Sequence, residues 1–554
     1  MSANSAIFNP TESTSAATGD GFSVPRLTTT GRLAIVFGAG DRGMMVYDTT
    51  LNNLFIWNGS AWESVPASGD STNTQVIFND NGILAGDAGL TYNKTDKRLN
   101  VSGNISIWGG AIDDGTSIAI GNASQSDTIA GAARNVTMGN LAGRYITTGT
   151  DNVGIGNLAL QSTFTNPLTG IGNVGIGSST LNKVSTAGSN VAVGNTAGTL
   201  LETGSDNTLI GTSAGAAAVT AGALVAVGSG ALRLTTGSDN VAVGYQAGYN
   251  VSTGSSNSFL GVLAGAGVSG GANCVAIGNR SLYNGTGIHT GSNNIAVGQN
   301  SMRSNSAVTG STNIGIGFDT FRFLASGSDN VAIGNSAGRT IDVGNYNIAV
   351  GTNALYSSVA ITGSDNIGLG SNVLRALSSG SNNVAIGLNS LNLVSTGQNN
   401  VAVGAGALQN NTQNNNVAVG VNSLQQNTSG AANVAVGTGA LASIVTNSNC
   451  TAIGISSLNV CTSGSNTALG AGSGQNITSG TNNICIGVSA NASANNINNE
   501  LVIGSTTSFV ATNGGATTYY GTASAGAVAL PAAALGFIRI YLNGSFVKVA
   551  VYGN

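Results

Sequence analysis

From Gly121 to Gly504 the sequence keeps returning to one phrase: Asn, Val, Ala, Val or Ile, Gly. It reads NVAVG at 190–194, 240–244, 400–404 and 433–437, and NVAIG at 330–334. The repeat-defining glycines include Gly194, Gly244, Gly334, Gly404 and Gly437. Of the 22 intervals between successive phrase-ending glycines, 14 are 17 residues long and three are 16. A period this short allows one architecture, a stack of coils in which each unit buries its neighbour's face. The expected fold is therefore all-β: a parallel β-roll or β-solenoid of about 17-residue coils, with small β modules at both ends.

Each unit supplies its own local signals. Val-Ala-Val alternates with period two, so its large side chains share one face and the alanine takes the other. The valine face is expected to be the buried one. A second apolar pair follows in many units, as at Ala407-Leu408, Ser423-Leu424, Ala440-Leu441 and Ser457-Leu458. It is too short for a helix and reads as a second short strand. Gly-Ser-Asp/Asn-Asn supplies the corner, because Gly and Asn tolerate positive φ. Asp151, Asp206, Asp239, Asp329 and Asp365 share that corner position, where turn capping is favoured over a calcium site. A coil this thin holds little core, and its alanine and glycine face would let another backbone approach. That predicts a parallel homotrimer around a rod on the order of 100 Å long, at roughly 4.8 Å per strand.

Composition narrows the function. Charged residues are 7% of the chain and hydrophobic ones 41%, which excludes disorder driven by charge. Net charge is −4 with no basic block, so no nucleic-acid partner is expected. Low charge favours a neutral or glycan target over a polyanion. No apolar run reaches 18 residues, so no membrane insertion is expected, and the N-terminus lacks a secretory signal. Cys274 and Cys450 replace the phrase asparagine and Cys485 the central alanine. With Cys461 they read as small buried fillers.

The flanks differ from the repeat. Residues 1–24 read as an N-terminal attachment arm. Residues 25–68 form a small β module, with Asn58-Gly59 turning between Trp57 and Trp62. Residues 69–106 form a second module, turning at Asp80-Asn81-Gly82 and again at Asn93–Lys97. The repetitive shaft runs 107–510. A C-terminal hairpin, 511–554, turns at Asn543-Gly544 and is expected to cap the last coil.

Catalytic chemistry is poorly supplied. The chain has one histidine, His289, and four glutamates: Glu12, Glu63, Glu202 and Glu500. His289 lies in the insertion YNGTGIHTG and reads as a solvated loop residue. Gly170–Gly175 matches GxGxxG literally, but no βαβ unit surrounds it. No enzyme, cofactor or metal is expected. The function-like irregularities are the over-long intervals, which solenoids extrude as loops. They carry Phe164, Tyr283, His289, Arg303 and Tyr356; Phe318, Phe321 and Phe323 add an aromatic cluster. With Tyr541, Phe546 and Tyr552 near the C-terminus, the residues from the long intervals are the candidate receptor contacts.

Two resemblances follow from these residues. The NVAVG-x-x-A/S phrase is similar to the head repeats of trimeric bacterial autotransporter adhesins. The segments LTTTGRLAI…GDRGMMVYDTTLNNLFIWNGSAW, TQVIFNDNGILAGDAGLTYNKTDKRLNVSGNI and GFIRIYLNGSFVKVAVYG resemble modules of tailed-bacteriophage fibre proteins, notably of phages of aquatic bacteria. The second resemblance implies a homotrimeric virion fibre, made in the host cytoplasm. Its N-terminal region would dock on tail or capsid proteins, and its tip would adhere to a host surface glycan or protein. The alternatives are a polysaccharide-depolymerising tail fibre, for which paired carboxylates are scarce, and a cellular trimeric surface adhesin.

Overall fold

The computed structural model describes residues 24–36, 41–65, 73–80, 83–93, 98–101, 117–124, 131–285, 288–504, 509–512, 536–542 and 545–551. The chain divides into two units, one made of residues 1–109 and 113–120, the other of 110–112 and 121–554. The expected arm at 1–24 lies almost wholly outside the described residues. So do the turn residues 81–82, 94–97 and 543–544, and Tyr552.

In the first unit, Arg26–Leu27 pairs parallel with Met45–Asp48, which continues antiparallel through Asn53–Trp57 to Trp62–Ser64. The predicted hairpin forms: the Asn58 side chain accepts from the amides of Ser60 and Ala61, each at 2.8 Å. Trp57 and Trp62 face each other across it, edge to face at 5.8 Å. A single helical turn, Thr29–Leu33, was not foreseen. It carries Arg32 inward, where its Nε meets Asp48 Oδ2 at 2.9 Å and its guanidinium lies 3.6 Å from the Phe55 ring centre. Burial opposes ionisation of Asp48, yet the Leu51 amide, Arg32, the Thr29 hydroxyl and the Thr50 amide together hold its carboxyl down at about 2. A separate antiparallel sheet joins Asn73–Asp80, Ile83–Asn93 and Arg98–Val101.

The second unit is the solenoid, a stack of about 24 coils spaced by roughly 17 residues. Each phrase contributes one three-residue strand. From Val136–Met138 to Glu500–Ile503 each pairs in parallel with the next, residue for residue, as in Val331↔Ile348, Ala332↔Ala349 and Ile333↔Val350. Phe509–Thr512 then pairs antiparallel with the last of these strands. The C-terminal strands Gly536–Leu542 and Ser545–Val551 pair antiparallel as a two-stranded sheet of their own, and the strand hydrogen-bonded to the last coil is Phe509–Thr512.

The alternation is as read, but its sense is inverted. The alanines point inward and are fully buried, as at Ala242, Ala332 and Ala402, while valine and isoleucine point out. The reason is space. The opposite wall of each coil sends in leucine, isoleucine or valine, leaving room on the strand for little more than a methyl group. Where a larger residue does point in, the flanking coils give way. A Cβ added at Gly265 would come within 2.4 Å of the Phe259 ring, and one at Gly198 within 2.9 Å of Leu209.

The expected second strand is also a turn. Leu408, Leu424, Leu441 and Leu458 take left-handed φ values of 47–51°. Closing a coil within 17 residues needs sharp bends that a strand cannot supply. Each left-handed leucine costs about 1–2 kcal/mol, and full burial of its side chain returns a similar amount. The corner behaves as expected, with Asp151, Asp206, Asp239, Asp329 and Asp365 at φ 58–61°.

Two columns set the register. The phrase-ending glycines hold φ between 123° and 139° from Gly121 to Gly487, and a Cβ on Gly244 would sit 2.4 Å from the Gly261 carbonyl oxygen. The phrase asparagines form a buried ladder. Asn330 Oδ1 accepts from the Asn347 amide at 2.9 Å and from Asn347 Nδ2 at 3.1 Å. Asn330 Nδ2 donates to Asn313 Oδ1 and to the Gly344 carbonyl, at 3.0 and 2.9 Å. Where Cys274 or Cys450 stands in the column, its amide still donates to the preceding asparagine, at 2.8 and 2.9 Å. All four cysteines are free and buried, as expected of fillers.

Two expectations follow. Asn330→Ala strands several buried polar groups and should cost about 1–3 kcal/mol for each one left unsatisfied, whereas Asn335→Ala at an exposed site should cost little; urea melts of both measure the difference. Gly244→Ala should destabilise by at least about 2 kcal/mol through strain and overlap with the next coil. Gly172→Ala, also at positive φ but with its nearest neighbour 3.9 Å away, should cost less.

Candidate functional site

Counting from each phrase-ending glycine, the fifth residue lies just past the left-handed turn, off the strand face. Its side chain points outward, and successive coils stack these residues into a column. In most other coils the column is uncharged, as at Thr199, Ala216, Asn392, Gln409 and Gln425; Arg144 and the contacting pair Arg233 and Tyr249 are exceptions. In six successive coils it reads Tyr283, Arg303, Arg322, Arg339, Tyr356, Arg375. Backbone bonds hold these coils in step, Ser304 N donating to Tyr283 O at 3.0 Å and Phe323 N to Arg339 O at 3.1 Å.

The column is internally organised. Asp319, buried beneath it, accepts from Arg322 at 2.9 Å and faces Arg339 Nε at 3.6 Å. Phe323 lies under both guanidinium groups, 5.7 Å from Arg322 and 5.1 Å from Arg339. Arg339 also reaches Tyr356, 3.4 Å from its hydroxyl and 5.4 Å from its ring. Arg303 buries its Nε without a hydrogen-bond partner. Arg375 stands exposed at the end. The other carboxylates of these coils are Asp342 and the corner residues Asp329 and Asp365.

The over-long intervals enter the coil at one place. The core residue after the turn is normally the seventh past the glycine, as Val268 is. In the long coils its place is taken by His289, Val308, Ile361 and Leu168, held by bridges from Val268 to His289, His289 to Val308, Ile341 to Ile361 and Ile146 to Leu168. Extra residues are therefore extruded directly beside the column. Tyr283, Arg303 and Tyr356 come together on the column itself. Phe164 stands apart at the tip of an earlier insertion, 81% exposed and edge-on to Tyr145 at 6.3 Å. Tyr541 and Phe546 lie in the separate C-terminal sheet.

His289 is a correction. It is fully buried in the core column, not solvated, and neither ring nitrogen has a hydrogen-bond partner. The insertion moved the core position four residues along, and the histidine fell on it. Burial alone pushes its imidazole down to about 4. It cannot touch a receptor.

Arg322, Arg339 and Arg375 lie in coils of ordinary length, where no long interval marks them. Reading the fifth-residue column would have found them. Among the described residues no three His, Cys, Asp or Glu side chains gather as metal ligands, and no helix is long and apolar enough to cross a membrane.

Against known proteins, residues 5–82 match the model of the phage tail like trimerisation region. No curated protein and no solved structure matches the chain. The matched span includes the Arg32–Asp48 pair and the Trp57/Trp62 hairpin.

The buried histidine makes an acid-labile point. Its folded value lies below the ordinary 6.5, so the neutral ring's contribution is intact above about pH 6.5 and lost as pH falls towards 4. About 3 kcal/mol of local stability should disappear across that window. The protection factors of amides in the flanking coils, with the intrinsic exchange rate at each pH divided out, should fall from pH 6.5 to 4 in the native chain and stay flat in His289→Val.

Proposed function

We propose that this chain is a structural subunit of a phage tail fibre that assembles as a homotrimer and adheres to the host surface. One observation carries the reading: a phage tail-like trimerisation region at residues 5–82 is followed in the same chain by a long parallel β-solenoid. The first supplies assembly and the second supplies reach. Adhesion through three chains per fibre, and several fibres per particle, multiplies weak contacts into useful avidity.

The outward strand face supports the assembly. Ile277, Ile333 and Ile453 are each 39–40% exposed in the single chain, and Leu388 and Ile455 extend the strip past the glycines at 52% and 61%. A β-branched strip repeated along the whole shaft far exceeds the patch of a few hundred Å² usual on a monomer. The valine and isoleucine face, and not the buried alanine face, takes the shared role between chains. The two modules before the shaft act as the attachment end, virion tail or capsid proteins being the partner there, and the shaft and the C-terminal sheet face the host. Receptor contact is proposed at Tyr283, Arg303 and Tyr356, with Phe164, Tyr541, Phe546 and Tyr552 as further points. The assembled fibre belongs to the virion.

Light scattering of the purified chain should give three times its 54.3 kDa mass; a stable monomer would overturn the trimer. Ile333→Lys combined with Ile386→Lys should weaken association yet leave the coils folded, whereas Ala332→Lys should unfold them. Labelling both termini on intact particles should find the N-terminal end docked. Absence of the chain from purified particles would overturn the virion assignment.

A further inference from the structure

We infer that the column Tyr283–Arg303–Arg322–Arg339–Tyr356–Arg375 is a binding track for an anionic polysaccharide, its charges being carboxylate or phosphate groups. The inference rests on the adhesive role proposed above and names the class of surface polymer recognised.

Position argues first. In a chain with only 7% charged residues, four arginines fall on one column within five coils. Asp319, Asp329, Asp342 and Asp365 of the same coils balance these charges overall, so the positive charge is a feature of the column and not of the coils as a whole. Arginine presents a planar donor fork that fits carboxylate and phosphate. Tyrosine adds a hydroxyl and an apolar ring face for a sugar.

Preparation argues second. Asp319 and the Phe323 ring hold the Arg322 and Arg339 heads in place before any ligand arrives, which lowers the ordering cost of binding. Asp319 serves both, so one carboxylate faces two guanidinium groups. Arg303 is half-buried, with its Nε sealed beneath the surface, and Arg375 is open to solvent.

Shape argues third. The column is one residue wide and repeats at the coil spacing of roughly 4.8 Å, a track about 24 Å long. A folded protein partner would need a broad patch of about 800 Å² with an apolar centre. A linear polymer with regularly placed charges needs only a line, and it gains from each additional coil it meets.

The test uses the full chain and four probes: polygalacturonate for carboxylate, poly(glycerol phosphate) for phosphate, neutral dextran, and single-stranded DNA. Retention at low salt is expected on one or both anionic carbohydrate polymers and not on dextran. Arg303→Gln combined with Arg375→Gln should weaken it about tenfold or more, two charge-assisted hydrogen bonds being at stake. Lys183→Gln, an equal loss of charge per site at an exposed position elsewhere, should change it less than about twofold, the usual worth of a surface charge. Unchanged melting of the double variant shows that its coils are intact. Retention equal on dextran, or unaltered in the double variant, overturns the track; DNA retained as well as the polysaccharides overturns the ligand class. Host-cell adhesion is scored separately. Cells bound equally by native and double-variant protein would sink the track but leave the adhesive role. Polymer bound without any cell adhesion would sink the adhesive role but leave the track.

Discussion

The buried asparagine ladder is the constraint on which the solenoid depends. A strand of three residues gives too few backbone bonds to fix its own register. The asparagine just before it supplies the missing specification, since its oxygen takes both the amide and the side-chain nitrogen of the next coil's asparagine, and its nitrogen closes onto a corner carbonyl. Every such group is sealed from water, so a slip of one residue would strand a whole set of donors and acceptors in an apolar interior. The glycine column four residues on enforces the same register sterically, because backbone from the next coil occupies the space of a side chain. One column is held by attraction and the other by exclusion.

The rest of the cross-section follows from that fixed point. With the strand pinned, the chain must turn back within about a dozen residues, so it spends two left-handed residues beside each glycine, as at Asn422 and Leu424, with φ of 55° and 50°. The leucine thrown inward by this turn fills the coil, and the strand can then offer only alanine or glycine. Exceptions keep the sum constant: Phe259 enters the core where Gly248 and Gly265 make room on either side. The apolar strip of valine and isoleucine outside is the complement of the small residues within.

Much of this was legible in the sequence. The period, the parallel strands, the positive-φ corner, the cysteines as fillers and the Asn58-Gly59 hairpin all followed from spacing and turn chemistry. The direction of the Val-Ala-Val alternation did not, because period two says which residues share a face and not which face is inside. Only the opposite wall decides that, and its leucines were themselves misread as a strand. His289 was misread for a related cause. An insertion resets the count, so a residue near the end of a loop can land on a core position. The arginine column is present in the sequence but spread over residues 303–375, so no local motif displays it. In a solenoid, neighbours in space are 17 residues apart, and chemistry is assembled by columns.

This geometry also restricts where such a chain can vary. A residue inserted between the asparagine and the glycine would break both columns at once. One inserted in the core turn would displace the leucine that fills the coil. The stretch just after the fifth residue has neither duty, and it is there that the intervals ending at Gly177, Gly298, Gly317 and Gly370 admit their extra residues. The fifth residue is likewise free of register and core, so its identity can change from coil to coil without cost to the fold. Stacking is met equally well by the threonine, alanine, asparagine or glutamine of most other coils, so the fold does not require six successive coils of arginine and tyrosine there, although Arg144 and the Arg233–Tyr249 pair stand on the same column elsewhere. The part of the coil that folding leaves least constrained is the part on which these arginine and tyrosine side chains stand.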